Sequence, residues 1–217
     1  MEVPGGSSRK LTVSVYEMLG TALFVFAIFV SGGNPIGVPL GLFASILFFG
    51  GITGGHFNPA VSLGVYLTRD NKAGNAVFLV MIIVGQCLGA ILGIFMSFVS
   101  LYSKPDDYHI GVANPINACP KDYELDAAGA EVLQCDGIDG NGFELGVQTF
   151  YTEVVCTFIF VAVILMVKGK DTAPTGDGML GATTVTFTLA GLIQTGMRLG
   201  PVFNPAVAVA FSFMNAW

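Results

Sequence analysis

The sequence predicts an all-α integral membrane protein built as an inverted duplication, with five spanning helices and two short half-helices that enter the bilayer without crossing it. Three observations carry this expectation. Hydrophobic residues make up 53% of the 217-residue chain and charged residues 11%, and mean hydropathy is +0.72, far from the balance of a soluble domain. The string Phe-Asn-Pro-Ala-Val occurs at 57–61 and again at 203–207, each time within apolar sequence. A second pattern, Glu-x-x-x-Thr-x-x-Phe-Val, also occurs twice, from Glu17 to Val25 and from Glu153 to Val161. Two patterns repeated in the same order mark an internal repeat.

The apolar runs place the elements. Spans are expected at Leu11 to Val30, Val38 to Ile52, Ala76 to Leu101, Gln148 to Val167 and Met179 to Thr195, each near the roughly 20 residues that cross about 30 Å of hydrocarbon. Pro59 to Leu67 and Pro205 to Met214 are too short to cross and read as re-entrant half-helices. Their starts are set by chemistry. Asn58 and Asn204 are good N-caps, and Pro59 and Pro205 suit the first helical position. A helix start at membrane depth leaves backbone N–H groups unpaired unless they are buried in protein or face water, so two such starts suggest a pore. Gly85, Gly89 and Gly93 recur every fourth residue in the third span and offer a face for close helix approach, or are ordinary membrane-helix glycines.

The whole chain is expected to be one membrane domain: a first repeat over about 11–101, an external acidic loop over about 102–147, and an incomplete second repeat over about 148–217. An odd number of spans per repeat inverts the second relative to the first and brings Asn58 and Asn204 together near the midplane. After the second half-helix the sequence stops at Trp217. A counterpart of the third span is therefore expected to be missing, through truncation or because a partner subunit covers the gap, and the second half-helix is expected to face lipid.

Charge orients the elements. The stretch from Leu101 to Val147 holds nine of the fifteen acidic residues. Arg9, Lys10, Arg69, Lys72, Lys168 and Lys170 flank the other ends of the spans. The positive-inside rule then puts the amino terminus in the cytoplasm and the acidic loop outside or in a lumen. Cys87 and Cys156 read as small hydrophobes within spans, whereas Cys119 and Cys135 lie in the external loop, where a disulfide is plausible in an oxidising compartment.

These two motifs, the paired Glu-x-x-x-Thr helices, Gly54-Gly55-His56-Phe57-Asn58-Pro59-Ala60-Val61-Ser62-Leu63-Gly64 and Gln86-Cys87-Leu88-Gly89-Ala90 together resemble the aquaporin and aquaglyceroporin family over essentially the whole chain. The resemblance implies an aquaporin-like fold and passive, bidirectional conduction of water or small neutral solutes, in a homotetramer without cofactors. It marks Asn58, Pro59, Ala60, Asn204, Pro205 and Ala206 as pore motifs. It implies that Glu17 and Glu153 brace the loops before the motifs, and that His56 makes a loop hydrogen bond or, less simply, gates with pH. The outer filter would be formed by Val38, Leu192, Pro201 and Val207.

The filter is where the sequence departs from the family. An arginine usually stands at the position of Val207, and glycerol facilitators usually follow it with an aspartate where this chain has Ala208. An all-apolar ring lacks a fixed cation and hydrogen-bond donors, so orthodox water specificity is in doubt and glycerol is not indicated. A wide apolar ring passes bulkier neutral molecules and a tight one excludes water by dewetting, and the sequence permits either. Arg198 could reach the outer mouth instead. The alternative function is a nonconducting structural or junctional membrane protein, or a subunit of a larger membrane assembly. The sequence shows no nucleophile and base pair, no metal-ligand cluster and no nucleotide loop, so neither an enzyme nor a nucleic-acid binder is expected. Asp136-Gly137-Ile138-Asp139-Gly140-Asn141 lacks EF-hand spacing and reads as solvated loop. The expected partners are water, small neutral solutes and the lipid bilayer.

Overall fold

A computed structural model describes residues 7–68, 72–101, 123–125, 131–133, 142–196, 200 and 202–215. Seven helices follow in order among them: α1 (Ser7–Val30), α2 (Gly37–Thr53), α3 (Pro59–Leu67), α4 (Lys72–Leu101), α5 (Gly142–Lys168), α6 (Gly178–Gly196) and α7 (Pro205–Asn215). Every expected span and both half-helices are present. The short strands β1 (Tyr123–Leu125) and β2 (Glu131–Leu133) pair antiparallel, with Tyr123 opposite Leu133, inside the stretch expected to be loop. The loop is also shorter at its end than expected, because α5 begins at Gly142.

Among the described residues, three helices are long and apolar enough to cross a membrane, over Ser8–Val30, Gly74–Leu101 and Gly146–Lys168. The 17 residues of α2 and the 19 of α6 rise about 25 and 28 Å at 1.5 Å per residue, slightly under the hydrocarbon thickness. α6 also carries five threonines. Its threonines satisfy themselves: Thr183, Thr184, Thr186, Thr188 and Thr195 each donate to the carbonyl four residues back at 2.8–2.9 Å. Such back-bonding lets a hydroxyl sit at membrane depth without an orphaned polar atom.

Capping chemistry sets the helix starts. Asn34 Oδ1 accepts from the N–H groups of Ile36 and Gly37 at 2.9 and 3.1 Å ahead of α2. Asp177 Oδ1 accepts from Met179 and Leu180 at 2.7 and 3.1 Å at the start of α6. α2 ends at Gly54, whose φ of 94° is left-handed and whose N–H closes onto the Gly50 carbonyl at 2.8 Å, an ending that favours glycine.

The glycine stripe on α4 is a packing surface. A Cβ at Gly85 would fall 2.8 Å from the Ser14 carbonyl oxygen and one at Gly93 2.6 Å from that of Ala22, while one at Gly89 would collide with the Met18 carbonyl. All three meet the backbone of α1, so the two helices touch main chain to main chain. The core lies where all seven of these helices converge, around Phe29, Phe57, Val61, Ile94, Phe203, Ala206 and Val207. α7 differs from the expectation of a lipid-exposed half-helix. Ala206, Val207 and Ala210 are fully or almost fully buried, and rings stack across to α1 and α4 as Phe29–Phe211 and Phe95–Phe213, with centroids 5.2 and 6.1 Å apart. α4 covers that side of α7 and supplies the shielding that the expectation overlooked.

Candidate functional site: a narrow chamber between two helix N-termini

The two Asn-Pro-Ala copies meet. Asn58 caps α3 with Oδ1 accepting from the Ala60 N–H at 2.8 Å, and Asn204 does the same for Ala206 at 3.0 Å. Their amide nitrogens then cross over: Asn58 Nδ2 donates to the Phe203 carbonyl at 2.8 Å and Asn204 Nδ2 to the Phe57 carbonyl at 2.9 Å. Each asparagine therefore ties its own helix to the loop of the other, and both are almost fully buried. Two helix starts are held head to head, each with the positive end of its dipole toward the other.

The backbone before each cap is bent in the same way. Phe57 and Phe203 have φ of 47° and 53°, the two non-glycine residues in the left-handed region among those described. A bulky residue there costs on the order of 1–3 kcal/mol and persists only where its surroundings fix it. Two glutamates do the fixing. Glu17, on α1 and fully buried, accepts from the His56 N–H at 3.0 Å through Oε1 and from the Phe57 N–H at 2.8 Å through Oε2. Glu153, on α5 and half-buried, accepts from Val202 at 2.6 Å and Phe203 at 3.1 Å. Both carboxylates act purely as acceptors and turn the loop N–H groups away from the chamber, which leaves loop carbonyls to face elsewhere.

Among the described residues, the first half carries more bracing than the second. Gln86 of α4 is fully buried and donates from Nε2 to Glu17 Oε2 at 2.8 Å and to Ser62 Oγ at 2.9 Å. Ser62 Oγ in turn lies 3.1 Å from His56 Nδ1. Sequence reasoning gave no role to Gln86, Ser62 or the two phenylalanines. A glutamine inside an apolar span was a usable signal, whereas the positive φ of Phe57 and Phe203 was not.

Between the two caps lies a chamber of about 10 Å³, lined by Phe24, Leu42, His56, Phe57, Asn58, Phe160, Leu189, Val202, Phe203 and Asn204. That is room for the centre of about one water. The lining comes in pairs from the two repeats: Phe24 with Phe160, His56 with Val202, Phe57 with Phe203, Asn58 with Asn204. One helical turn further along α2, α5 and α6 lies a second, wider space of about 400 Å³, against Ile46, Gly50, Ile164, Lys168, Gly181 and Val185 among others. The steps from Leu42 to Ile46, from Phe160 to Ile164 and from Leu189 to Val185 are each four residues, so the same helix faces line both chambers.

In the other direction from the narrow chamber along α2 and α6 stand Val38 and Leu192, both 8% exposed. Both belong to one apolar cluster with Val207. None of the three lines either chamber, and Val207 is buried within α7 packing. Pro201, Arg198, Cys119, Cys135 and the Asp136 to Asn141 stretch lie outside the described residues. Cys156 is buried and Cys87 half-buried, both as free thiols.

Comparison with known proteins decides the family. A model described as "Major intrinsic protein" matches residues 33–217, most of the chain. The chain belongs to the major intrinsic protein family. It is an integral membrane protein of a channel family, with the aquaporin-like fold that the sequence predicts. It is 29% identical over 202 residues to the glycerol uptake facilitator protein-like 6 of Lactiplantibacillus plantarum, covering 89% of this chain and 79% of that protein. It is 28% identical over 181 residues to the aquaporin PIP1-1 of Musa acuminata, covering 81% of this chain. The chain spans about half, 54%, of that plant relative's length. Among solved structures, the aquaglyceroporin from Plasmodium falciparum superposes with a TM-score of 0.65 at 19% identity, over 96% of this chain and 81% of that one, a likeness of fold.

Proposed function

We propose that the protein is a passive transmembrane channel for water and small neutral solutes, with its pore running through the narrow chamber between α3 and α7. The observation that carries this reading is the reciprocal pair of asparagine bonds over that chamber. Each Nδ2 has two N–H groups and gives one to the partner loop, so one donor per asparagine remains for a permeant oxygen. The facing helix ends carry about half a positive charge each and oppose cations while leaving neutral molecules largely unaffected. The apolar walls at Phe24, Leu42, Phe160 and Leu189 offer a single-file molecule no competing partners. A transport role also follows the family better than any catalytic one.

The arrangement supports two inverted repeats related about the chamber, since α2 and α5 run toward the wide chamber and α6 runs away from it. By the positive-inside rule the wide chamber, beside Lys168, opens to the cytoplasm together with the amino terminus. The family and the apolar outer faces of α4 and α5 support a homotetramer. Val38, Leu192, Pro201 and Val207 stand as the outer filter, and their apolar character favours water and weakly polar solutes over glycerol.

Stopped-flow swelling of proteoliposomes under gradients of impermeant sugar, glycerol and urea tests the reading. Fast water flux with a low activation energy is the expected result. Lipid-like rates from folded protein would refute conduction and favour a nonconducting structural role, for which the small chamber and Val207 already speak.

A further inference from the structure

Lys168 stands at the wide chamber. It ends α5, lines the wide chamber, and its ammonium donates to the backbone carbonyl of Gly54. Gly54 begins the loop that leads to Asn58. Gly54 lines the wide chamber as well, and a Cβ there would lie 4.0 Å from Lys168 Nζ and 3.6 Å from the Nε2 of His56, which lines the narrow chamber. Among the described residues that line either chamber, Lys168 is the one lysine or arginine. The lining carboxylate, Asp177, is held by the N–H groups of Met179 and Leu180 at the positive end of α6, which offsets its charge locally. Lys170 and Asp171 follow in the exposed connection and lie outside both linings.

We propose that Lys168 is a specificity-determining residue of the pore: a fixed cation at the inner mouth that excludes cations from a channel whose outer filter has valine at the position of the usual arginine. The inference rests on the channel reading above. Its physical basis is placement. An ammonium bonded to the first carbonyl of the pore loop occupies the site where an entering cation would lose its first waters to backbone oxygen, and a like charge there raises that step. The positive ends of α3 and α7 then act further in, so the barrier is extended toward the cytoplasm instead of being centred on the outer filter. A neutral solute meets a donor at the mouth and no electrostatic penalty.

The test is the ratio of potassium to water permeability in proteoliposomes of the full chain, read with an entrapped potassium indicator and by stopped-flow swelling. Lys168→Met keeps the aliphatic stem and removes the charge, and the ratio should rise on the order of tenfold. K168E should raise it further, and K168R should stay near the wild-type ratio. K168M indistinguishable from wild type in a water-conducting protein would overturn the inference and leave the channel reading intact. If K168M does not reconstitute, K168Q makes the same comparison. Wild-type protein that conducts no water refutes the channel itself, and the role of Lys168 in it falls as well.

Discussion

Replacing Glu17 by Gln isolates what the buried carboxylate does, because shape and volume are conserved while charge and one acceptor are lost. Glu17 is fully buried and accepts three hydrogen bonds, from the His56 and Phe57 N–H groups and from Gln86 Nε2. A glutamine at this site keeps one oxygen. If it takes the Oε2 position it retains two bonds and presents an NH₂ to the His56 N–H, donor against donor. The opposite flip loses two bonds, so the first is preferred. Bonds to a charged acceptor contribute about 1.5–3 kcal/mol and neutral ones about 0.5–1.5, so the two retained bonds weaken by about 1 kcal/mol each. The orphaned His56 N–H adds about 1–3 kcal/mol. The expected cost is about 3–5 kcal/mol. The same change at Glu153 touches two bonds at a half-buried site and should cost about 1–3 kcal/mol after allowance for solvent. Reversible denaturation in mixed micelles, followed by far-ultraviolet circular dichroism, measures both. E17Q within about 1 kcal/mol of wild type, or E153Q costing more than E17Q, would show that the carboxylates do not carry the loops as argued.

Further outcomes follow from the same geometry. Gly89→Ala drives a methyl into the Met18 carbonyl and should destabilise by about 1–3 kcal/mol through separation of α1 and α4. Gly51→Ala, with open space around its Cβ, should be neutral or stabilising by up to about 1 kcal/mol, and the difference between the two in the same denaturation assay checks the packing argument. Asn58→Ala and Asn204→Ala each remove a helix cap and a cross-loop bond, with an expected loss of about 2–4 kcal/mol; proteoliposome swelling should fall severalfold or more in both, and unchanged flux in either would contradict a pore between them. Val207→Arg places a long charged side chain at a position 2% exposed, so a loss of stability above about 2 kcal/mol is expected from the denaturation midpoint.

The helices were legible because apolar runs and capping residues act locally. Asn58 and Asn204 each stand where a half-helix starts and are readable as caps without tertiary information, whereas the same role at Asn34 and Asp177 emerged with the structure. The duplication made the meeting of the two motifs legible as well, since an odd number of spans per repeat leaves few other arrangements. What stayed hidden is long-range. Gln86 reaches Glu17 across 69 positions and Ser62 across 24, and no sequence pattern couples three polar residues on three helices. Val207 shows a mixed case. Position within a motif marks it as outer filter, a role that stands as a proposal, whereas its 2% exposure in one apolar cluster with Val38 and Leu192 comes from the register of α7, which is set by what packs against the helix.

The two halves of this molecule repeat a sequence pattern without repeating its support. Phe57 and Phe203 are bent alike and each is held by a glutamate, but the first loop has Gln86, Ser62 and His56 joined behind it, whereas among the described residues the second has Glu153 at the N–H groups of Val202 and Phe203. α1 is covered along one side by the main chain of α4 through Gly85, Gly89 and Gly93, whereas α5 leaves Phe150, Tyr151 and Phe158 about 70% exposed within this chain. Conformational freedom of a loop rises as the groups that over-determine it are removed. Among the described residues, the chamber is therefore bounded by one more heavily braced wall and one softer wall. Since both asparagine cross-bonds bridge the two walls, the softer one governs how well the donors over the chamber are aimed.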